Sequence, residues 1–238
     1  MTSAYTRSRA DELIRRIKQY ATPSFKKQMK ERFGICTDHA VGTSVTALRL
    51  LSKGLPKPDQ ELADSLWNSA IHEARILATI LADPSQMTRE KLDLWVKDVN
   101  SWDLCDLACG NLFSKVKNPL KLAEKWIKKE EEFIRRAGFA LLATLAAPRS
   151  KTTDTELEKM FPFIKIYACD ARPMVFKAVN WALRNIGKKN PRLTPKAINC
   201  AEEILFLYED NQSAKWVAKN AIYELNNPKI KQMISKRK

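Results

Sequence analysis

Glycine is scarce in this 238-residue chain, at only 6 residues. Sheet proteins and nucleotide-binding α/β folds depend on glycine at tight turns and phosphate loops, so this count leans toward helices. Histidine is scarcer still: His39 and His72 are the only two. That leaves little for a histidine-based acid–base mechanism. G-x-S-x-G, P-loop and G-x-G-x-x-G patterns are all missing, which removes support for triad hydrolases, P-loop NTPases and Rossmann enzymes. No apolar run approaches the ~20 residues that a membrane helix needs. The opening MTSAYTRSRADE lacks the apolar stretch of a signal peptide.

The five cysteines, Cys36, Cys105, Cys109, Cys169 and Cys200, are odd in number and form no secreted framework. A reducing compartment is expected, cytoplasmic or nuclear, and not the secretory route. Cys105 and Cys109 stand at i, i+4 and would share a helix face. Neither histidine has ligand spacing to them, so two packed core cysteines and no metal are expected.

What the chain has is charge and apolar periodicity. Hydrophobic residues make up 45%, enough for one globular domain over 1–238 that buries roughly 70% of its unfolded surface. Lys and Arg number 42 against 27 Asp and Glu, a formal +15. Such an excess attracts polyanions, nucleic acid first and an acidic membrane surface second. A soluble basic protein without such a partner has the same balance.

Helical signals run from end to end. Leu13, Ile14, Ile17 and Tyr20 fall on one stripe. Breaks come at Thr22-Pro23-Ser24, Gly54 to Pro58, Asp83 to Ser85, Asn118-Pro119, Pro148 to Asp154, Lys188 to Leu193 and Asp210 to Ser213. Each intervening segment reads as a helix or a helix pair. Phe161 to Cys169 has the look of a buried strand but is assigned as helix from its surroundings. No Gly/Ser-rich or Pro-rich linker interrupts the chain. The terminal KIKQMISKRK reads as a frayed end.

A weak repeat is visible. The segments 72–82, 133–146, 174–187 and 215–227 share a register, each with a basic residue ahead of an apolar run: Arg75, Arg136, Lys177 and Lys219. The last three are 41 and 42 apart, within the range of HEAT-type helix pairs. The expected fold is an all-α, HEAT-like solenoid whose aligned cations line a concave basic groove. Four solvated cations that happen to begin helices would give the same pattern.

Two segments could carry chemistry. In Ser101-Trp102-Asp103-Leu104-Cys105-Asp106, a helix puts Trp102 and Asp106 on one face. In a cleft, the indole offers a negative π face to a cation and the carboxylate stabilises developing positive charge. A packing tryptophan beside a salt-bridged aspartate is the plainer account. Lys177, Trp181 and Arg184 likewise share a face, and cations interleaved with an aromatic suit nucleic-acid contact. A core tryptophan flanked by solvated cations fits equally well.

At these residues the chain resembles the AlkD-type DNA glycosylases, built from tandem HEAT-like helix pairs. The family's Trp-Asp-x-x-Asp element matches Trp102 to Asp106, its arginine element matches Arg136 in FIRRAGFALL, and its K-A-x-x-W-x-L-R segment matches Lys177 to Arg184. The likeness spans about residues 20 to 225 and rests on these three elements in order. It implies Asp106 as the catalytic carboxylate, Trp102 and Trp181 against the damaged nucleotide, and Arg136 on the nearby backbone. Lys177 and Arg184 become phosphate contacts. Gln28 stands where the family often has an aromatic, which bears on substrate range. The expected activity is hydrolysis of N3- or N7-alkylated purines from double-stranded DNA by a monomer without cofactor. A non-catalytic relative that binds damaged or branched DNA, or a protein-binding HEAT scaffold, would share most of these features.

Overall fold

The computed structural model describes residues 4–237 and is helical throughout. Its contacts group the chain into two compact units, 1–117 and 118–238, which meet at the Asn118-Pro119 break read from the sequence. No helix among the described residues is long and apolar enough to cross a membrane.

Unit 1 contains α1 (Ala4–Gln19), α2 (Pro23–Glu31), α3 (Val45–Lys53), α4 (Gln60–Asn68), α5 (His72–Leu81), α6 (Arg89–Lys97) and α7 (Trp102–Asn111), then a 3-10 turn, Phe113–Lys115. Polar caps start most of the helices. Thr22, Ser44, Asp59 and Thr88 each accept a backbone N–H from three residues on, satisfying donors that a helix leaves without partners. Around α5 pack α1, α3, α4 and α7, burying Leu13, Ile17, Leu48, Leu66, Ile76, Leu77 and Leu104. Cys105 and Cys109 are fully buried there, as their shared face requires.

A loop of residues 32–44 joins α2 to α3 and is fastened by one carboxylate. Glu73 on α5 is 0% exposed. Its oxygens accept N–H bonds from Val41 (2.9 Å), Gly42 (2.7 Å) and Thr43 (3.1 Å). A buried carboxylate is tolerated only where such donors replace its water. Gly42 makes this possible: its φ is +96°, and a Cβ would lie 2.8 Å from the Thr22 carbonyl. Sequence reading singled out neither residue.

Unit 2 contains α8 (Pro119–Ile127), α9 (Glu132–Leu145), α10 (Asp154–Glu158), α11 (Phe161–Tyr167), α12 (Pro173–Lys189), α13 (Leu193–Leu207), α14 (Gln212–Asn226) and α15 (Pro228–Ser235). Phe161–Tyr167 is helical, as expected. The second helices of successive hairpins, α9, α12 and α14, pack side by side, with α12 in the middle. Their register is held by Asn185 Nδ2 on the Ala143 carbonyl (3.0 Å), Lys189 Nζ on the Ala147 carbonyl (3.3 Å) and Asn180 Nδ2 on the Val217 carbonyl (2.9 Å). A continuous core runs beneath them from Ile127 to Leu225. Gly138 lets α8 lie against α9: a Cβ there would meet the Ile127 backbone nitrogen at 2.6 Å.

Each unit has one arginine that reaches back eight residues to the end of the preceding helix. Arg75 Nε donates to the Trp67 carbonyl (3.3 Å), and its terminal nitrogens reach the Asp98 carbonyl (3.0 Å) and carboxylate (3.1 Å). Arg135 Nε donates to the Ile127 carbonyl (3.2 Å), and its terminal nitrogens reach Asp170 (2.8 Å) and Glu130 (3.0 Å). Each guanidinium also lies over a ring, Trp67 or Tyr167. The structure therefore pairs Arg75 with Arg135, one residue away from the sequence register that joined it to Arg136. Arg75 is engaged in packing and is not a solvated cation.

The C-terminal segment also departs from expectation. Residues 228–235 form α15, capped by Asn227 on the Lys229 N–H (2.9 Å), with Ile234 buried and Arg237 donating to the Lys188 carbonyl. Ile230, Met233 and Ile234 give this stretch an apolar side that its basic residues obscured.

Asp170 makes the unit 2 arginine cluster sensitive to acid. Burial pushes its carboxyl pKa up, but hydrogen bonds from Arg172 and Arg135 outweigh this and hold it at about 2, below the ordinary 3.8. A depressed pKa contributes stability above the unfolded value and loses it as pH falls through the folded one. Asp170→Asn is expected to be less stable at neutral pH. Its further loss between pH 4 and 2 should be smaller than the wild type's by about 2 kcal/mol, read from urea denaturation at each pH.

Candidate functional site

The six residues singled out from the sequence divide between the units. Trp102 and Asp106 belong to unit 1; Arg136, Lys177, Trp181 and Arg184 belong to unit 2.

In unit 1 the structure brings Trp102 and Asp106 together on α7, one turn apart and both half-buried. Trp102 is held rather than merely packed. Its indole N–H donates to the Phe33 carbonyl at 2.8 Å, and its ring lies against the small cluster of Met29, Ile35, Ala40 and Phe25. α2 and the loop that follows it thereby set the plane of the indole. Gln28 is exposed on α2 in this neighbourhood.

Between the two, Asp103 anchors the helix. Its carboxylate meets His72 Nε2 at 2.9 Å, with His72 only 4% exposed. Burial raises the Asp103 pKa, yet the hydrogen bond and charge of His72 prevail and hold the carboxyl below its usual range. His72 opens α5, and Glu73 beside it grips the 41–43 loop. Two consecutive α5 residues therefore secure both α7 and the chain around α2. Neither His72 nor Asp103 was a candidate from sequence, because 31 residues separate them and no spacing rule joins them.

In unit 2, Lys177, Trp181 and Arg184 lie on one face of α12, as their spacing predicts. Their states differ. Lys177 is exposed and makes no hydrogen bond or ion pair among the described residues. Trp181 is half-buried with one side on the core. Arg184 is paired with Glu224 on α14, which also binds Lys188 at 2.7 Å. Burial raises the Glu224 pKa, but its bonds to Lys188 and Arg184 dominate and lower it. Two cations around one anion leave one net positive charge at this point. Arg136 is 6% exposed, and its Nη1 donates to the Met174 carbonyl at 2.9 Å. It therefore fixes the first turn of α12, the helix that carries Lys177 and Trp181.

Unit 2 also has a pocket of about 670 Å³, lined by Leu120, Lys121, Lys151, Lys159, Met160 and Phe163 among others. None of the six candidate residues lines it.

An all-helical chain whose second unit stacks α9, α12 and α14 side by side, with Asn185 reaching back 42 residues to Ala143, has a HEAT-like repeat fold. The chain belongs to the DNA alkylation repair enzyme family, whose model matches residues 13–225. A similar solved structure comes from a new family of proteins related to the HEAT-like repeat DNA glycosylases with affinity for branched DNA structures. It superposes with a TM-score of 0.72 at 21% identity, over 81% of this chain and 82% of that one. No curated protein matches the chain significantly.

The His72–Asp103 pair should matter for the placement of α7. Asp103→Ala leaves a buried histidine without its partner and is expected to cost about 2 kcal/mol. It should also red-shift the emission of Trp102, an effect that comparison with an Asp103→Ala, Trp102→Phe double variant assigns to that indole.

Proposed function

We propose that this chain is a monofunctional DNA glycosylase, acting as a monomer on N3- or N7-alkylated purines in double-stranded DNA. The observation that carries the reading is Asp106, half-buried one turn beyond an indole whose orientation is fixed, in a member of the DNA alkylation repair enzyme family.

The chemistry asks little of the protein. Alkylation at N3 or N7 makes the purine a cation, so the base departs neutral, taking the electron pair of its bond to C1′. No general acid is needed for that departure. The sugar becomes oxocarbenium-like, and a carboxylate stabilises it while orienting water toward C1′. Water adds its oxygen to C1′, and its proton passes to the carboxylate or to solvent. Asp106 takes this role. Trp102 and Trp181 contact the damaged nucleotide, their π faces favouring positive charge. Arg136, expected on the lesion backbone, is buried on the Met174 carbonyl and acts by positioning the first turn of α12, and Lys177 and Arg184 neutralise phosphates. Exposed polar Gln28, in place of an aromatic, gives weaker stacking on the lesion strand.

The second reading is a protein that binds damaged or branched DNA without cleaving it. What favours it is the description of the similar solved structure, whose family has affinity for branched DNA.

The deciding experiment is release of free base from DNA containing N7-methylguanine. Wild type should release it, and Asp106→Asn should be slower by on the order of 10²–10³-fold while still binding DNA. Tight binding with no release by the wild type would select the second reading. Equal release by both proteins would remove Asp106 from the mechanism.

The phosphate assignments have a separate signature. Lys177→Ala should weaken binding to every DNA tested and lower the slope of log K against log salt by about 0.9. Arg184→Ala should change the slope less, because Glu224 already shares its charge. Anisotropy titrations at several salt concentrations would measure both, and an unchanged slope for Lys177→Ala would take it off the interface.

A further inference from the structure

The face of α14 beside Lys177 and Trp181 carries an unexplained pattern. Trp216, Lys219 and Tyr223 lie at i, i+3 and i+7 and form one stripe. Trp216 is 43% exposed, Tyr223 is 76% exposed, and Lys219 is exposed between them. Lys219 and the Tyr223 hydroxyl have no hydrogen bond or ion pair among the described residues. Trp216 is steadied from one side by an edge contact with Phe176, centroids 5.2 Å apart. An exposed tyrosine and tryptophan flanking a free lysine do nothing for the core of unit 2, which α14 already fills with Ala214, Val217, Ala218, Ala221 and Leu225.

Lys219 and Tyr223 stand 42 residues beyond Lys177 and Trp181, the separation that also joins Asn185 to Ala143 across the neighbouring helices. Two ties hold α14 alongside α12: Asn180 on the Val217 carbonyl at one end, and Arg184 with Lys188 on Glu224 at the other. The segment between them carries Lys219 and Tyr223. The cation-plus-aromatic couple of α12 is therefore repeated on the next helix of the same layer, in more exposed form.

We infer that Trp216, Lys219 and Tyr223 form a stacking platform for an unpaired stretch of DNA. The inference rests on the DNA-binding part of the proposed function and not on its base-release chemistry. The occupant follows from the chemistry of the stripe. A base in a duplex has its faces covered by its neighbours, so only a single-stranded nucleotide can offer a π face to Tyr223 or Trp216. Lys219 between the rings matches the phosphate that separates successive bases. The +15 charge of the chain favours the same polyanion.

The test compares a blunt duplex with a forked DNA bearing single-stranded arms of the same sequence, by anisotropy at fixed salt. Wild type should prefer the fork. Tyr223→Ala should lose roughly tenfold on the fork and much less on the duplex, while Tyr223→Phe should keep the preference. Lys177→Ala should weaken both ligands alike. Because Tyr223 is exposed, circular dichroism and the melting temperature should confirm that Tyr223→Ala is folded. A fork preference unchanged in Tyr223→Ala overturns the inference and leaves the proposed function standing. Absence of binding to either DNA by the wild type overturns both. A wild-type dimer in sedimentation that Tyr223→Ala dissociates would put a second copy of the chain on the stripe, which also overturns it.

Discussion

The constraint on which both units depend is the free carbonyl end of a helix. The last turn of any helix leaves C=O groups without partners, and a hairpin of packed helices must bury some of them. Here a guanidinium meets the need in each unit. Arg75 and Arg135 each give Nε to a carbonyl eight residues back, and spread their terminal nitrogens over an acidic residue at the end of a later helix. An ammonium has no planar fork and could not hold both directions at once. The consequence is geometric. Fixing Arg75 fixes the roll of α5, so His72 and Glu73 are aimed at α7 and the 41–43 loop. Fixing Arg135 fixes the roll of α9, so Arg136 is aimed at the first turn of α12. The candidate residues are thus placed by groups one to three positions from an arginine that has no part in the chemistry.

This explains what could be read in advance and what could not. The helical class, most of the breaks and the shared faces of Trp102 with Asp106 and of Lys177 with Trp181 follow from local spacing, and local spacing is visible in a sequence. The choice between Arg135 and Arg136 is not local. Both precede the same apolar run, and only the position of the Ile127 carbonyl decides which one reaches back. Glu73 was missed for a related reason. A glutamate in the first turn of a helix ordinarily favours the helix dipole and faces water, and nothing nearby announces a loop that will close over it. The pairing of Arg184 with Glu224 spans 40 residues, beyond any helical rule. In α15, basic residues hid an apolar side too short to dominate the composition.

Charge shows the same division between number and placement. The excess of cations over anions guarantees that many cations stay unpaired in any fold, which suits a polyanion partner without requiring one. It does not say which cations are available. Arg75, Arg135 and Arg172 are committed to carbonyls and carboxylates, and Arg184 shares Glu224 with Lys188. Lys177 and Lys219 keep their full charge at the surface. These arginines build the scaffold, as expected when planar, multiply bonded cations tolerate burial well, and the buried Lys189 joins them on the Ala147 carbonyl.

One position of the unit 2 repeat keeps its register while its exposure changes. Phe139, Trp181 and Tyr223 follow one another at intervals of 42 residues on α9, α12 and α14. Phe139 is fully buried, Trp181 is half-buried and Tyr223 is 76% exposed. The ring is kept at all three positions, while its polar content rises with exposure from none, to one N–H, to a hydroxyl. A buried aromatic with a polar atom must find that atom a partner, and a partly exposed one can leave it to solvent or ligand. The apolar side of each ring supports the helix layer. Where the layer no longer covers the other side, as at Trp181 and Tyr223, that side is free to meet a sugar or a base. In this chain, then, exposure changes along the repeat while the register does not, and that change is what makes a packing position available for the proposed DNA contact.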